Sequence, residues 1–428
     1  MEGALLGPGA LDPRIIGLGK SATMAIQARS ASLREAGRRV YRLGLGQSPF
    51  PVPSTVVDAL RANAAEKDYL PVEGLRALRE AISEYHRRRN DGLTTADDVL
   101  VGPGSKELMF LLQLVLDTEI VIPTPAWVSY APQARLTGRH ITALHTRAED
   151  RYLVLPEQLD EHCRRGGTRA RVLLLNGPSN PTGAIYSLPA LEALAAVARR
   201  HGMVVLSDEI YGELQYDGRH VSMARVFPEG TIVSSGLSKW CGAGGWRLGT
   251  FSFPPGLRWL RDAMAAAASE TFTSTSAPIQ YAAIRAFQGG APLERYLVGS
   301  RAVLKALIPW AAETLRSAGA EVITPTASFY LWVDLSPLRA QLKSRGLETS
   351  TQLAEALLES TGVATLPGAC FMRSPEELTL RLALVDFDGA RALSAAMSGD
   401  GPPDTELLLS SCHPTTEAID RMASWIRG

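Results

Sequence analysis

The sequence predicts an α/β protein in which a mostly parallel sheet is flanked by helices. Three observations carry this. Short β-branched runs alternate with helical patterns through the middle of the chain, and each run is nearly continuous in apolar residues. A strand covered on both faces reads that way, whereas a half-exposed strand alternates. With 428 residues, 46% of them hydrophobic, the chain exceeds the roughly 250–300 residues at which one core stops growing, so at least two packed units are expected.

The strand candidates are Val99–Val101, Ile120–Ile122, Val172–Leu175, Val204–Leu206 and Ile232–Val233. Helices are expected over Ser54–Ala65 and Glu73–Arg89, broken apart at Tyr69-Leu70-Pro71, and then over Lys106–Leu116, Leu188–His201 and Leu257–Ser269. Gly202 stands just past the fourth of these as its expected C-terminal cap. Leu293–Ala318 reads as a long connecting helix, and the strand character of Phe329–Val333 after it marks a second, smaller domain. Ser398–Pro414, rich in Ser, Gly and Pro around Leu407-Leu408-Leu409, reads as a surface excursion of that domain.

The 44 basic and 44 acidic side chains cancel, so no global field gathers nucleic acid or an anionic membrane. The densest basic stretch, Tyr85-His86-Arg87-Arg88-Arg89, ends an expected helix, where arginine complements the helix dipole. Cys163, Cys241, Cys370 and Cys412 have neither zinc-ligand nor disulfide-framework spacing. Free thiols, no signal-peptide pattern in Met1–Ala10 and no long apolar run lead to the expectation of a cytoplasmic protein. Gly17-Leu18-Gly19-Lys20-Ser21 imitates the end of a phosphate-binding loop, but the earlier glycine would fall at Arg14. His140 and His145 lack metal-pair spacing, and no metal is expected.

Four segments carry chemistry. Asn176-Gly177-Pro178-Ser179-Asn180-Pro181-Thr182-Gly183 follows a strand end, the place where open α/β sheets bind ligands. Ser207-Asp208-Glu209-Ile210-Tyr211 follows the next strand; Asp208 there either faces a ligand's cationic nitrogen or caps the following helix. Ser234-Ser235-Gly236-Leu237-Ser238-Lys239 runs on to Gly244-Gly245-Trp246-Arg247. A lysine desolvated beside other cations becomes nucleophilic toward carbonyls, and serines beside an arginine hold a phosphate. Lysine occurs only at Lys20, Lys67, Lys106, Lys239, Lys305 and Lys343, which leaves few candidates. In Leu378-Thr379-Leu380-Arg381-Leu382-Ala383-Leu384 a lone arginine sits among apolar neighbours, where it either clamps a ligand carboxylate or forms an internal ion pair.

Taken in order, these segments resemble the class I/II aminotransferases among the fold-type-I pyridoxal-phosphate enzymes, closest to the bacterial aspartate aminotransferase branch. The similarity begins at Lys20-Ser21-Ala22-Thr23 and Gly44-Leu45-Gly46 and continues through Tyr69 and Gly74. It implies an N-terminal arm with part of a small domain over residues 1–50, a large cofactor-binding domain over 51–300 and a small C-terminal domain over 301–428. By the same resemblance, Lys239 carries pyridoxal 5'-phosphate as a Schiff base and moves protons, and Asp208 keeps the pyridine nitrogen protonated. Asn180 and Tyr211 hydrogen-bond the ring phenolate, and Trp127 stacks on the ring. The phosphate lies at Gly104-Ser105-Lys106 with Ser235, Ser238 or both and with Arg247. Tyr69 reaches that phosphate from a partner subunit, which makes a homodimer. Arg381 clamps the substrate carboxylate, with Asn180 and the backbone of Gly46 assisting. Amino-acid and 2-oxo-acid substrates are expected; Ser21, Thr23 and Lys106 match positions that approach an acidic side chain, which supports a dicarboxylic donor, the alternative for Lys106 being that it simply serves the phosphate.

The sequence departs from that pattern at Gln47-Ser48-Pro49-Phe50, where Glu-Pro-Asp-Phe is usual, at Trp240–Gly244, and in a shortened turn before Glu119. One cofactor cradle serves several reactions. Transamination is the leading expectation; elimination, replacement or cyclisation on a substrate such as S-adenosylmethionine is the alternative. A ligand-sensing regulator on this fold would need a DNA-binding domain, for which the residues before Gly44 are too few.

Overall fold

The computed structural model describes residues 10–19, 21–89, 94–167, 169–398 and 404–428. Lys20, most of Met1–Ala10 and residues 399–403 of the Ser398–Pro414 excursion lie outside the described residues. Among the described residues thirteen strands run in chain order: β1 (Tyr41–Arg42), β2 (Val99–Gly102), β3 (Glu119–Thr124), β4 (His140–His145), β5 (Arg171–Asn176), β6 (Val204–Asp208), β7 (Thr231–Gly236), β8 (Gly249–Ser252), β9 (Glu321–Val322), β10 (Tyr330–Asp334), β11 (Val363–Ala364), β12 (Leu366–Pro367) and β13 (Thr379–Ala383).

Seven of them form the central sheet in the order β2-β8-β7-β6-β5-β3-β4. β3 to β7 run parallel, and only β8 is antiparallel to its neighbours β7 and β2. The apolar runs at β2, β3, β5 and β7 are buried along nearly their whole length, as sheet strands covered on both faces must be. Leu100, Ile120, Val172 and Ile232 enter the cluster under the Ser105–Val115 and Arg258–Ser269 helices. Val121, Leu173, Leu175 and Val205 enter a second cluster with the Leu188–Arg200 helix, so successive residues of one strand serve opposite faces. A four-stranded antiparallel sheet, β12-β13-β10-β9, packs beyond the 26-residue helix Ala291–Arg316.

Several boundaries move. The second early helix begins at Arg76 rather than Glu73, because Gly74 takes a backbone φ of 105° that no helix accommodates. Gly202 lies in the left-handed region directly after the Leu188–Arg200 helix, as expected of a C-terminal glycine. The excursion needs correction: Thr405–Ser411 is a helix, and Leu408 and Cys412 are buried with the core residues around the long helix, so apolar anchoring overrides the polar composition of its flanks. No helix among the described residues is long and apolar enough to cross a membrane.

Candidate active site

Because β5, β6 and β7 are parallel, their C-terminal ends emerge together, and the chemistry-bearing segments leave the sheet side by side. Asn176 pairs in register with Asp208, and Asp208 with Ser234. The Asn176 amide then ties the loop down: Nδ2 donates to the Asp208 carbonyl at 2.7 Å, and Oδ1 accepts from the Asn180 N–H at 2.6 Å.

A cavity of about 420 Å³ opens over these ends. Its walls bring together Ser21, Thr23, Gly46, Ser105, Lys106, Trp127, Asn180, Asp208, Tyr211, Ser238, Lys239, Arg247 and Arg381. Residues more than 350 positions apart in sequence therefore meet at one place.

Asp208 is buried, and its Oδ2 accepts a 2.7 Å hydrogen bond from Tyr130 Oη while Ser234 Oγ lies 3.3 Å from Oδ1. Burial pushes this carboxyl up to about 6, against the lowering effect of those donors, the Ile210 N–H and the nearby Lys239. Lys239 sits just beyond β7 with Nζ donating to the Gly46 carbonyl at 2.5 Å. Burial and the Arg381 charge pull its amine down to about 8, with Asp208 pulling the other way. An amine of that acidity is about one-tenth neutral at pH 7, far more than an ordinary lysine, and the neutral form is the one that attacks a carbonyl.

The opposite wall is cationic. Lys106 Nζ lies 5.2 Å from the Trp127 ring centroid, its amine held below the usual lysine range by burial and by Arg247. Arg247 donates to the carbonyls of Gly244 (2.9 Å) and Pro103 (3.3 Å). Gly104 has φ of 92°, and a Cβ there would collide with the Arg247 guanidinium, so only glycine lets that side chain lie against the helix start at Ser105. A helix N-terminus beside a guanidinium suits an anion such as phosphate. Among the described residues, Lys106, Lys239, Arg247 and Arg381 thus line one cavity against a single carboxylate, Asp208.

Arg381 is 1% exposed, and no acidic residue pairs with it among the described residues. Its guanidinium donates to the Gly44 carbonyl, lies 4.7 Å from the Tyr330 ring centroid and 5.4 Å from that of Phe371, and leaves Nε without a partner. Among the described residues the internal ion pair allowed by the sequence is absent, and a planar fork with an unpartnered Nε matches a carboxylate.

Three expected residues are not part of the wall: Gly104 adjoins it, against the Arg247 guanidinium, and two others stand apart. Tyr69 is 90% exposed and does not line this chain's cavity. Ser235 is buried within β7 and is not part of the wall, whereas Ser238, past the strand end, is. Met24, Gln27 and Tyr330 line the cavity although nothing in the sequence marks them as site residues, and Asn176 and Ile210 line it too, from segments whose sequence gave them no role of their own. Tyr130 was likewise not marked, although its neighbour Trp127 was singled out; the residues flanking that tryptophan were the available signal. Gln47 was noticed only as a departure, and it also lines the cavity.

Comparison with known proteins agrees with this geometry. Residues 38–388 match the family Aminotransferase class I and II. The chain is 33% identical over 400 residues to the aspartate/prephenate aminotransferase of Thermus thermophilus, covering 90% of this chain and 99% of that one. It is 32% identical over 384 residues to the asparagine–oxo-acid transaminase of Streptococcus mutans, covering 87% and 94%. Among solved structures, the aspartate aminotransferase from Thermus thermophilus with maleate superposes with a TM-score of 0.82 at 30% identity, over 97% of this chain and 99% of that one. Fold, site geometry and these similarities together show that the chain belongs to the class I and II aminotransferase family.

Proposed function

We propose that this aminotransferase moves an amino group between an acidic L-amino acid and a 2-oxo acid, with pyridoxal 5'-phosphate held through Lys239. The observation that carries the reading is the Lys239 amine, drawn down to about 8, in a cavity where a buried carboxylate at Asp208 stands among a surplus of cations. The cofactor's groups fit the donors present. Its phosphate suits Ser105, Ser238 and Arg247 with the helix start at Gly104 beside them, its ring nitrogen suits Asp208, its face suits Trp127, and its phenolate suits Asn180 and Tyr211.

When bound, the cofactor supplies a ring that withdraws electrons and so acidifies the Cα proton of an amino acid. The chain's residues do the rest. Arg381 would receive the substrate α-carboxylate and so orient Cα, Lys239 Nζ would carry the proton to and from Cα, and Asp208 would hold the proton on the ring nitrogen. Lys106, with the hydroxyls of Ser21 and Thr23 across the cavity, receives the distal carboxylate of the donor. The exposed Tyr69 serves the phosphate of a second subunit in a homodimer. The dicarboxylate maleate in the Thermus thermophilus structure, and the aspartate in its name, support an acidic substrate.

The experiment is a single half-reaction. Reconstituted enzyme given aspartate and no oxo acid should release one equivalent of oxaloacetate per site and end in the pyridoxamine form. Asparagine, the donor named for the Streptococcus mutans relative, should react at least about tenfold more slowly, the worth of one charge-assisted contact. Continuous release of ammonia, or equal use of both donors, contradicts the proposal.

A further inference from the structure

Tyr330 enters the cavity from the small antiparallel sheet, while every residue assigned above to the cofactor ring comes from the central sheet and its loops. In the β10–β13 pairing Trp332 faces Arg381 and Tyr330 faces Ala383, so Tyr330 and Arg381 share one face of that sheet as diagonal neighbours. The ring of Tyr330 lies 4.7 Å from the Arg381 guanidinium carbon. Its hydroxyl, on a side chain that is 1% exposed, lies 2.8 Å from Tyr211 Oη and accepts from Asn180 Nδ2 at 3.4 Å. The fit is enforced from the far side too, since a Cβ at Gly46 would overlap the Tyr330 hydroxyl.

We infer that Tyr330 is a positioning residue with two separable parts: its hydroxyl donates to Tyr211 Oη and so strengthens the bond Tyr211 gives the cofactor phenolate, while its ring seats Arg381 for the substrate carboxylate. The inference rests on the proposed function. The direction of the hydrogen bond follows from the partners. Tyr211 must spend its own proton on the phenolate, so its oxygen is left as an acceptor, and Tyr330 has the only other hydroxyl within reach among the described residues. Linked O–H donors polarise one another, so the second hydroxyl sharpens the first. The aromatic face under the guanidinium is an electrostatic seat that a cation favours in a buried site.

The two parts are tested with Tyr330→Phe, which keeps the ring, and Tyr330→Leu, which removes both. The readouts are the pH midpoint of the visible absorbance of the reconstituted enzyme, and KM for aspartate against kcat. Tyr330→Phe should raise the midpoint by about 0.5–1 pH unit, the size of one net hydrogen bond, because a less stabilised phenolate holds the neighbouring proton more firmly. Its KM should stay within about twofold, and Tyr330→Leu should raise KM about tenfold or more, within the range of a desolvated cation–π contact. In a Tyr211→Phe background, Tyr330→Phe should move the midpoint no further, since its effect passes through Tyr211. An unmoved midpoint in Tyr330→Phe, a full shift in the Tyr211→Phe background, or equal KM values for the Phe and Leu variants overturns the inference while leaving the proposed function intact. A wild-type chain that takes up no pyridoxal phosphate overturns the proposed function, and this inference with it.

Discussion

Tyr130 Oη gives its hydrogen bond to Asp208 Oδ2 over 2.7 Å, linking the segment that carries Trp127 to the carboxylate at the end of β6. A cavity wall and the sheet beneath it are thereby held in one arrangement. Removing the donor leaves a buried carboxylate with less compensation, and its pKa rises beyond about 6. Tyr130→Phe is therefore expected to weaken pyridoxal phosphate binding about tenfold at pH 7, the loss of one hydrogen bond to a charged group. Fluorescence titration of the apo-protein checks this, and unchanged affinity contradicts it.

Asp208 also sets a pH dependence on the stability of the apo-protein. Its folded pKa is raised from 3.8 to about 6, so its contribution to stability is present below the unfolded value and is lost as pH rises through about 6. At pH 8 the apo-protein carries a buried charge costing at most about 3 kcal/mol. Asp208→Asn removes that charge, so the variant apo-protein should melt at or above wild type at pH 8 while losing its advantage toward pH 4. Cofactor affinity should fall about 100-fold or more in the same variant. A variant apo-protein markedly less stable than wild type at pH 8 refutes the account of Asp208.

The lowered amine of Lys239 gives a kinetic prediction. Only the neutral amine attacks the aldehyde, so the rate of uptake of pyridoxal phosphate should climb with pH around a midpoint near 8, not near the ordinary lysine value of 10.5. Stopped-flow absorbance over pH 6 to 10 reads this directly. A rate still rising steeply at the upper end would show an unperturbed amine.

Arg381→Ala should separate substrate from cofactor. It removes the guanidinium facing the cavity but no group assigned to the cofactor, so kcat/KM for aspartate is expected to drop about 100-fold with cofactor affinity changed less than about threefold. Steady-state kinetics and equilibrium dialysis on the same preparation measure the two quantities. Parallel losses would mean that Arg381 is structural.

Much of this was legible in the chain because the relevant elements announce themselves locally. β5, β6 and β7 are buried on both faces, so their apolar runs are continuous, and each hands over directly to a polar segment that faces the cavity. β4 was not recognised because it is the edge strand, exposed at His140 and His145, with only Leu144 fully buried. β8 was missed since it is four residues long and half Gly and Ser, and its place between β2 and β7 depends on pairing rather than on its own pattern. Ser235 and Ser238 were indistinguishable in sequence; the end of β7 at Gly236 decides which of them reaches the cavity. Tyr330 was invisible for a further reason, because its meeting with Tyr211 and Arg381 depends on the register of β10 against β13 and on how that sheet approaches the central one.

The account depends above all on which lysine carries the cofactor. Enzyme reconstituted with pyridoxal phosphate, reduced with borohydride and digested should yield one labelled peptide, modified at Lys239 with Ser238 before it and Trp240 after it. A label on Lys106, whose amine lines the same cavity, or no stable label at all, would contradict the account.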